Sequence, residues 1–450
     1  MDRNRWQDIY NNLSPEMKEE VIRRAKVKIR EKIKHWLSQP VLVVAALVLG
    51  AIVGALTAFF GQVLQRVSDI RDASPLYWIP ALAIGGVAIV LTYRKFGKGT
   101  ERGMGAVFDV AHGNEREIPL RLIPLIMVTT WVTHLFGGSS GREGVAMQIG
   151  ATLGHNISSK VPVENAPRIL LVAGMAAGFA GLFQTPMAAV ALSLEILLAG
   201  HLELAALLPA AVAAVTAYKV SEMLGYEKFS IDLNAFSPDW NIASLFYGDA
   251  GLDIYFVLKL AVLGLLFGIV GGAFAWLLPF SKKFFAIKFP NPVKRVAVMG
   301  VCLSLLLIAC WQGRYSGLGT NLTDMCFGNA AAVSANGAGI YAWDWILKML
   351  FTIVTLSVGF QGGEVTPLFT IGATFGAVIA SLVGVPFALA AGLGYAAVFG
   401  AATNTLFAPI LVGAEIFGFD TLPAFFIVCT VAYVCNGGKS IYTQKKIRLR

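Results

Sequence analysis

Charge is scarce in this chain. Of 450 residues only 14% are Asp, Glu, Lys or Arg, while 56% are hydrophobic, more apolar surface than a soluble domain of this length can hide in a core. A soluble fold is excluded, and the composition indicates a polytopic membrane protein with the lipid bilayer as solvent. Cysteine is also sparse. Cys302, Cys310, Cys326, Cys429 and Cys435 show no CxxC spacing, and four of them lie in or beside apolar stretches, so they read as small packing residues rather than metal ligands or disulfides. The five histidines form no HExxH or comparable ligand pair, so no metal site is expected, and no cofactor is called for. No short apolar segment with a small-residue cleavage site opens the chain, and no removable signal peptide is expected.

The net charge of +9 does not point to nucleic acid, because the basic residues gather at the two ends. Residues 15–37 place Met17, Val21, Ile29, Ile33 and Leu37 at helical steps among lysines and arginines, the pattern of an amphipathic helix on a membrane surface. The tail "KKIRLR" is basic too, and the positive-inside rule then predicts both termini in the cytoplasm.

Apolar runs at 41–64, 81–93, 255–280 and 296–311 range from full spans to lengths too short to cross a bilayer upright. Short helices broken by Gly and Pro are tolerated where protein or a cavity satisfies their backbone, and in transporters that is where the site lies.

The sequence also repeats itself. "GGSSGREG" places Glu143 after a glycine cluster, and Phe179 follows in "AAGFAG"; "GFQGGEVTP" places Glu364 after a second cluster, and Phe399 follows in "AAVFGA". The acids Glu195 and Glu415 then stand at matching places, as duplication would leave them. The expected organisation is an N-terminal cytoplasmic segment 1–38, a first transmembrane repeat 39–224, a polar connecting loop 225–251, a second repeat 252–444 and a basic tail 445–450. A second polar stretch, 312–343, reads as an irregular excursion within the second half.

A glycine cluster that opens a helix exposes unpaired backbone N–H groups and the positive end of the helix dipole, an arrangement that favours an anion. It is predicted twice, at 137–145 and 359–367. A carboxylate beside such an end can itself fill the anion position, take a proton and leave, coupling anion to proton movement. The plainer alternatives are that Glu143 pairs with Arg142 or caps a helix, and that Glu364 is a protonated, merely hydrogen-bonded acid. An intramembrane hydrolase using Ser139 or Ser140 with His134 is a rival of another class, but the sequence supplies no third, orienting group.

At these residues the chain resembles a known family. "GREGVAMQIGA" is similar to the GREGP-type signature of the CLC chloride channels and chloride/proton antiporters, and "GGEVTPLFTIGA" to their GxFxP-type signature. The likeness runs through "GFAGLFQTPMAAVALSLE", "YSGLGTN" and "AAVFGAATNTLFAPILVGAE" to "SIYTQKK", covering roughly residues 40 to 445. It implies an all-α polytopic membrane protein built as an inverted repeat of two helical halves with short broken helices, and a homodimer. With few residues after Tyr442, the cytoplasmic nucleotide-binding domains that many relatives append are not expected.

Departures from the family pattern narrow the reading. "GMGAV" puts Met104 where chloride-selective members have a serine that helps hold chloride, and no proline follows. Glu364, followed by Val365, Thr366 and Pro367, replaces an apolar residue. Ile196 follows Glu195 where many antiporters have two adjacent acids. These changes resemble the fluoride/proton antiporter branch. The resemblance implies export of fluoride by coupled exchange with protons, with a chloride/proton antiporter or chloride channel as the alternative. It casts Glu143 as the proton-accepting gate, with Met104, Glu364, Val365, Thr366 and Tyr442 at the anion site. Backbone of Gly141, Arg142, Gly144 and Val145 would form the first helix-end site. Fluoride, a stronger hydrogen-bond acceptor than chloride, suits donors such as a protonated Glu364, Thr366 and Tyr442. From composition alone Met104 reads as well as a core-filling thioether, and Tyr442 as an interfacial tyrosine.

Overall fold

The computed structural model describes residues 14–98, 100, 103–115, 117–227, 229–233, 247–248, 251–327 and 339–446. Helix α1 (Pro15–Ala73) begins where the Ser14 hydroxyl accepts from Met17 N at 3.3 Å. It runs unbroken past Pro40 and across the expected boundary at residue 38, so surface segment and first span are one rod. Glu20 accepts from Arg23 and Arg24 at 2.8 Å, which holds its carboxyl down at about 2.

The first half continues with α2 (Pro75–Trp78), α3 (Leu82–Phe96), α4 (Met104–Ala111), α5 (Leu122–Leu135), α6 (Glu143–Ser158), α7 (Ala166–Phe183), α8 (Pro186–Glu195) and α9 (Leu207–Met223). The second comprises α10 (Ile254–Lys288), α11 (Pro292–Ala309), α12 (Thr320–Phe327), α13 (Asp344–Val358), α14 (Val365–Val383), α15 (Phe387–Thr403), α16 (Phe407–Phe417) and α17 (Leu422–Cys435). Among the described residues seven helical stretches are long and apolar enough to span a bilayer. Two exceed 30 residues, against the roughly 20 an upright helix needs, and so must tilt or project. Most of the expected connecting loop, 234–246 and 249–250, lies outside the described residues, as does 328–338 of the second polar stretch. Two short strand pairs interrupt the helical pattern: β1 (Leu198–Ala199) with β4 (Lys445–Lys446), in parallel, and β2 (Tyr247–Gly248) with β3 (Gly251–Leu252).

The duplicated sequence folds into duplicated packing. Helices α6 and α7 meet where Gly150 faces Gly174, and α14 and α15 meet where Gly372 faces Gly394; at each, an added Cβ would overlap the opposite carbonyl oxygen. Backbones therefore touch directly, the small-residue mode by which membrane helices associate. Gln184 ends α7 and Asn404 ends α15, both in the left-handed conformation, and a short helix follows each.

Those short helices, α8 and α16, bind each other reciprocally. Glu195 at the end of α8 accepts from Phe407 N at 2.7 Å and Ala408 N at 3.2 Å, at the start of α16. Glu415 near the end of α16 accepts from Met187 N at 3.2 Å and Ala188 N at 2.8 Å, at the start of α8. Each half thus satisfies the orphan donors of the other with a carboxylate. Phe183 and Phe369, rings 5.0 Å apart and nearly parallel, join the two halves in the core.

Candidate functional site

Two irregular loops lead into α6 and α14 from opposite halves of the chain. They meet in an isolated antiparallel bridge: Gly141 N donates to Gly363 O at 2.5 Å and Gly363 N to Gly141 O at 2.7 Å. Glycine is required here for closeness, since a Cβ on Gly141 would lie 2.8 Å from Pro367 Cδ. Both predicted helix starts are found, at Glu143 and Val365, and the bridge sets them against each other.

Glu143 is fully buried. Its Oε2 accepts from Thr366 N at 3.1 Å, from the Thr366 hydroxyl, and from Arg142 N at 3.3 Å. The carboxylate of the first half thus sits on the opening turn of a helix from the second, the place such a helix end offers to an anion. Its Oε1 has no hydrogen-bond partner and lies 3.5 Å from Arg142 Nε. The Arg142 guanidinium also stands over the ring of Tyr226, 5.9 Å from its centroid. Pairing with Arg142 and capping, the plainer alternatives for Glu143, are therefore both present in part, with the capped helix in the other half.

Beside this contact lies a cavity of about 510 Å³, lined by Met104, Gln148, Lys282, Arg295, Glu364 and Tyr442 among others. Glu364 is the N-cap residue of α14, its carboxylate 4.0 Å from Lys282 Nζ on α10. Met104 opens α4 behind Gly103, which has φ +53°. The Tyr442 hydroxyl is buried without a hydrogen-bond partner, and its ring stacks on Phe108 at 5.5 Å. Three residues expected at an anion site, far apart in sequence, thus share one cavity.

Other expected residues sit differently. The Thr366 hydroxyl is committed to the Glu143 carboxylate instead of facing the cavity lining. Gly141, expected among the backbone donors, spends its N–H on the bridge to Gly363, and the Arg142 N–H goes to Glu143. Gly144 and Val145 are buried in the first turn of α6, and Val365 in the first turn of α14.

The chain's sequence from residue 85 to 437 matches the model of the voltage-gated chloride channel family. The protein belongs to that family. A chloride/fluoride channel protein of Pseudomonas syringae pv. tomato is 32% identical over 400 residues, covering 88% of this chain and 84% of the relative. The crystal structure of a CLC-type fluoride/proton antiporter is 47% identical and superposes with a TM-score of 0.84, over 92% of this chain and 99% of that one. A slow cyanobacterial chloride/proton antiporter shares the fold at 22% identity, with a TM-score of 0.70 over 90% and 96% of the two chains. The CLC architecture expected from the two signatures, all-helical, membrane-embedded and repeated, is the one observed.

Membership of this family makes the chain one of transporters and channels, and the site agrees with the chemistry of ions more than of acyl groups. Ser140 Oγ does lie 3.2 Å from His134 Nε2, as the hydrolase alternative requires. Yet His134 Nδ1 has no partner to orient the ring, and Ser139 is tied to Thr352 and Lys348. All of these side chains are fully buried.

Sequence reasoning missed three cations near the site. Lys348, in "DWILKML", is fully buried and donates to Ser139 Oγ and to the carbonyls of Tyr315 and Gly317 at 2.8–3.2 Å. A lone lysine in an apolar helix was a readable signal. Lys282 and Arg295 gave none, because only the packing of α10 and α11 brings them to the cavity of Glu364.

Proposed function

We propose that this CLC protein is a fluoride/proton antiporter that exports fluoride across the cell membrane in exchange for protons. The observation that carries the reading is the Glu143 carboxylate seated on Thr366 at the opening of α14, next to a cavity that holds Glu364, Met104 and Tyr442. An ionised Glu143 occupies the anion position. Once protonated it loses most of its attraction for the helix N-terminus and leaves, and fluoride takes its place on the Thr366 amide and the freed hydroxyl. Protonated Glu364 then donates to fluoride from the cavity side, with the Tyr442 hydroxyl as a further donor. When Glu364 is ionised it repels the anion, so its proton and the fluoride enter together. Met104 withholds the hydroxyl that would suit chloride. Ile196 offers no inner acid, so the proton reaches the cytoplasm by another route, through Glu364, and Glu195 serves packing.

The working unit in this reading is a homodimer with one pore per subunit, both termini cytoplasmic. Its repeats span 39–224 and 252–444, joined through 225–251, between the segments 1–38 and 445–450. The relatives' names support fluoride as the cargo. Flux from proteoliposomes, compared for fluoride and chloride gradients, tests the reading: fluoride moves much faster than chloride, whereas equal or greater chloride flux returns the protein to the chloride branch.

A further inference from the structure

A chloride-type site has no acid at position 364, so the partly buried carboxyl there raises a problem the proposed cycle leaves open: what holds Glu364 when it is ionised and the cavity holds no anion. Its side chain is 16% exposed, and an unpaired charge so placed is costly. The only ion-pair partner within reach among the described residues is Lys282 Nζ, 4.0 Å away, a distance too long for a hydrogen bond and short enough for charge attraction. Lys282 stands one turn below Pro279 on α10, and its own side chain is 49% exposed. The half-exposed lysine lines the same cavity as Glu364.

We propose that Lys282 is an exchangeable counter-ion, binding the Glu364 carboxylate when the site is empty and the fluoride when Glu364 is protonated. One cation then serves two anions that cannot both be present. The inference rests on the reading of Glu364 as the proton-linked anion residue and adds the group that links its two states. Other charged or titratable groups around Glu364 do not fill this role. Arg295 on α11 lines the same cavity, but its guanidinium donates to Val358 O at 3.3 Å. Arg142, before α6, faces Glu143 and Tyr226. Tyr442, in the C-terminal segment, offers a neutral hydroxyl, and Glu143 is held on Thr366.

The consequences separate in sign. Without the ammonium, protonated Glu364 binds fluoride more weakly; at a half-exposed cation the loss is about two- to five-fold in Kd. Also without it, the ionised form of Glu364 loses its partner, so the acid keeps its proton to higher pH. The alkaline limit of fluoride binding therefore moves upward by about half a pH unit.

The test is isothermal titration with sodium fluoride on purified full-length protein from pH 5 to 9, every sample carrying Glu143→Gln to remove the gate's own proton, for the otherwise wild-type protein and for Lys282→Met, Lys282→Arg and Glu364→Gln. Lys282→Met is expected to show weaker binding at low pH and an alkaline limit displaced upward, while Lys282→Arg keeps both near wild type. A merely structural lysine would weaken binding without moving the pH limit. A wild-type pH profile in folded Lys282→Met, with Glu364→Gln lacking pH dependence, overturns the counter-ion role and leaves the reading of Glu364 intact. Wild-type pH dependence in Glu364→Gln overturns both.

Discussion

At the scale of single residues, the proposed cycle turns on one carboxylate acting as a movable anion. Glu143→Gln keeps the size of the side chain but cannot take up and release a proton in the working pH range. Proton movement coupled to fluoride is expected to vanish in this variant, and unchanged proton uptake in liposomes would remove Glu143 from the gate. Glu364→Gln keeps size and donor capacity but loses the switch, so fluoride flux falls sharply while the protein remains folded; wild-type flux in folded Glu364→Ala would make it a bystander. The residue types at these positions were legible in the sequence, because acids following glycine clusters in an apolar chain have few uses. Their partners were not. Thr366 reads as a donor facing an anion, and only the bridge between Gly141 and Gly363 shows its hydroxyl on Glu143. The approach of Lys282 to Glu364 depends on the course of a 35-residue helix, which no local pattern encodes.

At the scale of elements, matched spacing in the two halves foretold matched helices, and even the glycine contacts are duplicated. The spacing did not reveal that Glu195 and Glu415 each cap the other half's short helix. That reciprocity needs the halves to be antiparallel, and sequence spacing is the same for parallel and inverted repeats. Glu195→Ala deprives two N–H groups of their acceptor, a loss of about 1–3 kcal/mol. A fall in thermal midpoint is therefore expected, with a similar fall for Glu415→Ala by the mirrored contact. In Glu195→Gln proton coupling should persist, and its abolition as complete as in Glu143→Gln would require another proton route. Gly150→Val should prevent folding, because the side chain must enter the Gly174 carbonyl. Recovery of well-folded protein by size-exclusion chromatography in mild detergent would contradict direct backbone packing.

For the whole molecule, scarcity of charge and the family signatures together indicated the solvent, the fold class and the repeat. The continuous α1 was not foreseen, because the change from amphipathic to apolar pattern near residue 38 resembles a boundary; helix propensity carries through it, and Pro40 is accommodated within the rod. The homodimer is checked by cross-linking in lipid, where a two-subunit species is expected and exclusive recovery of monomer would count against it. The central claim is coupled exchange at one site. Proteoliposomes loaded with fluoride, with fluoride and pH electrodes recorded together, test it most directly. Downhill fluoride efflux should drive proton uptake against a gradient in the wild type, with much less response to chloride; fluoride efflux that moves no protons would contradict the account.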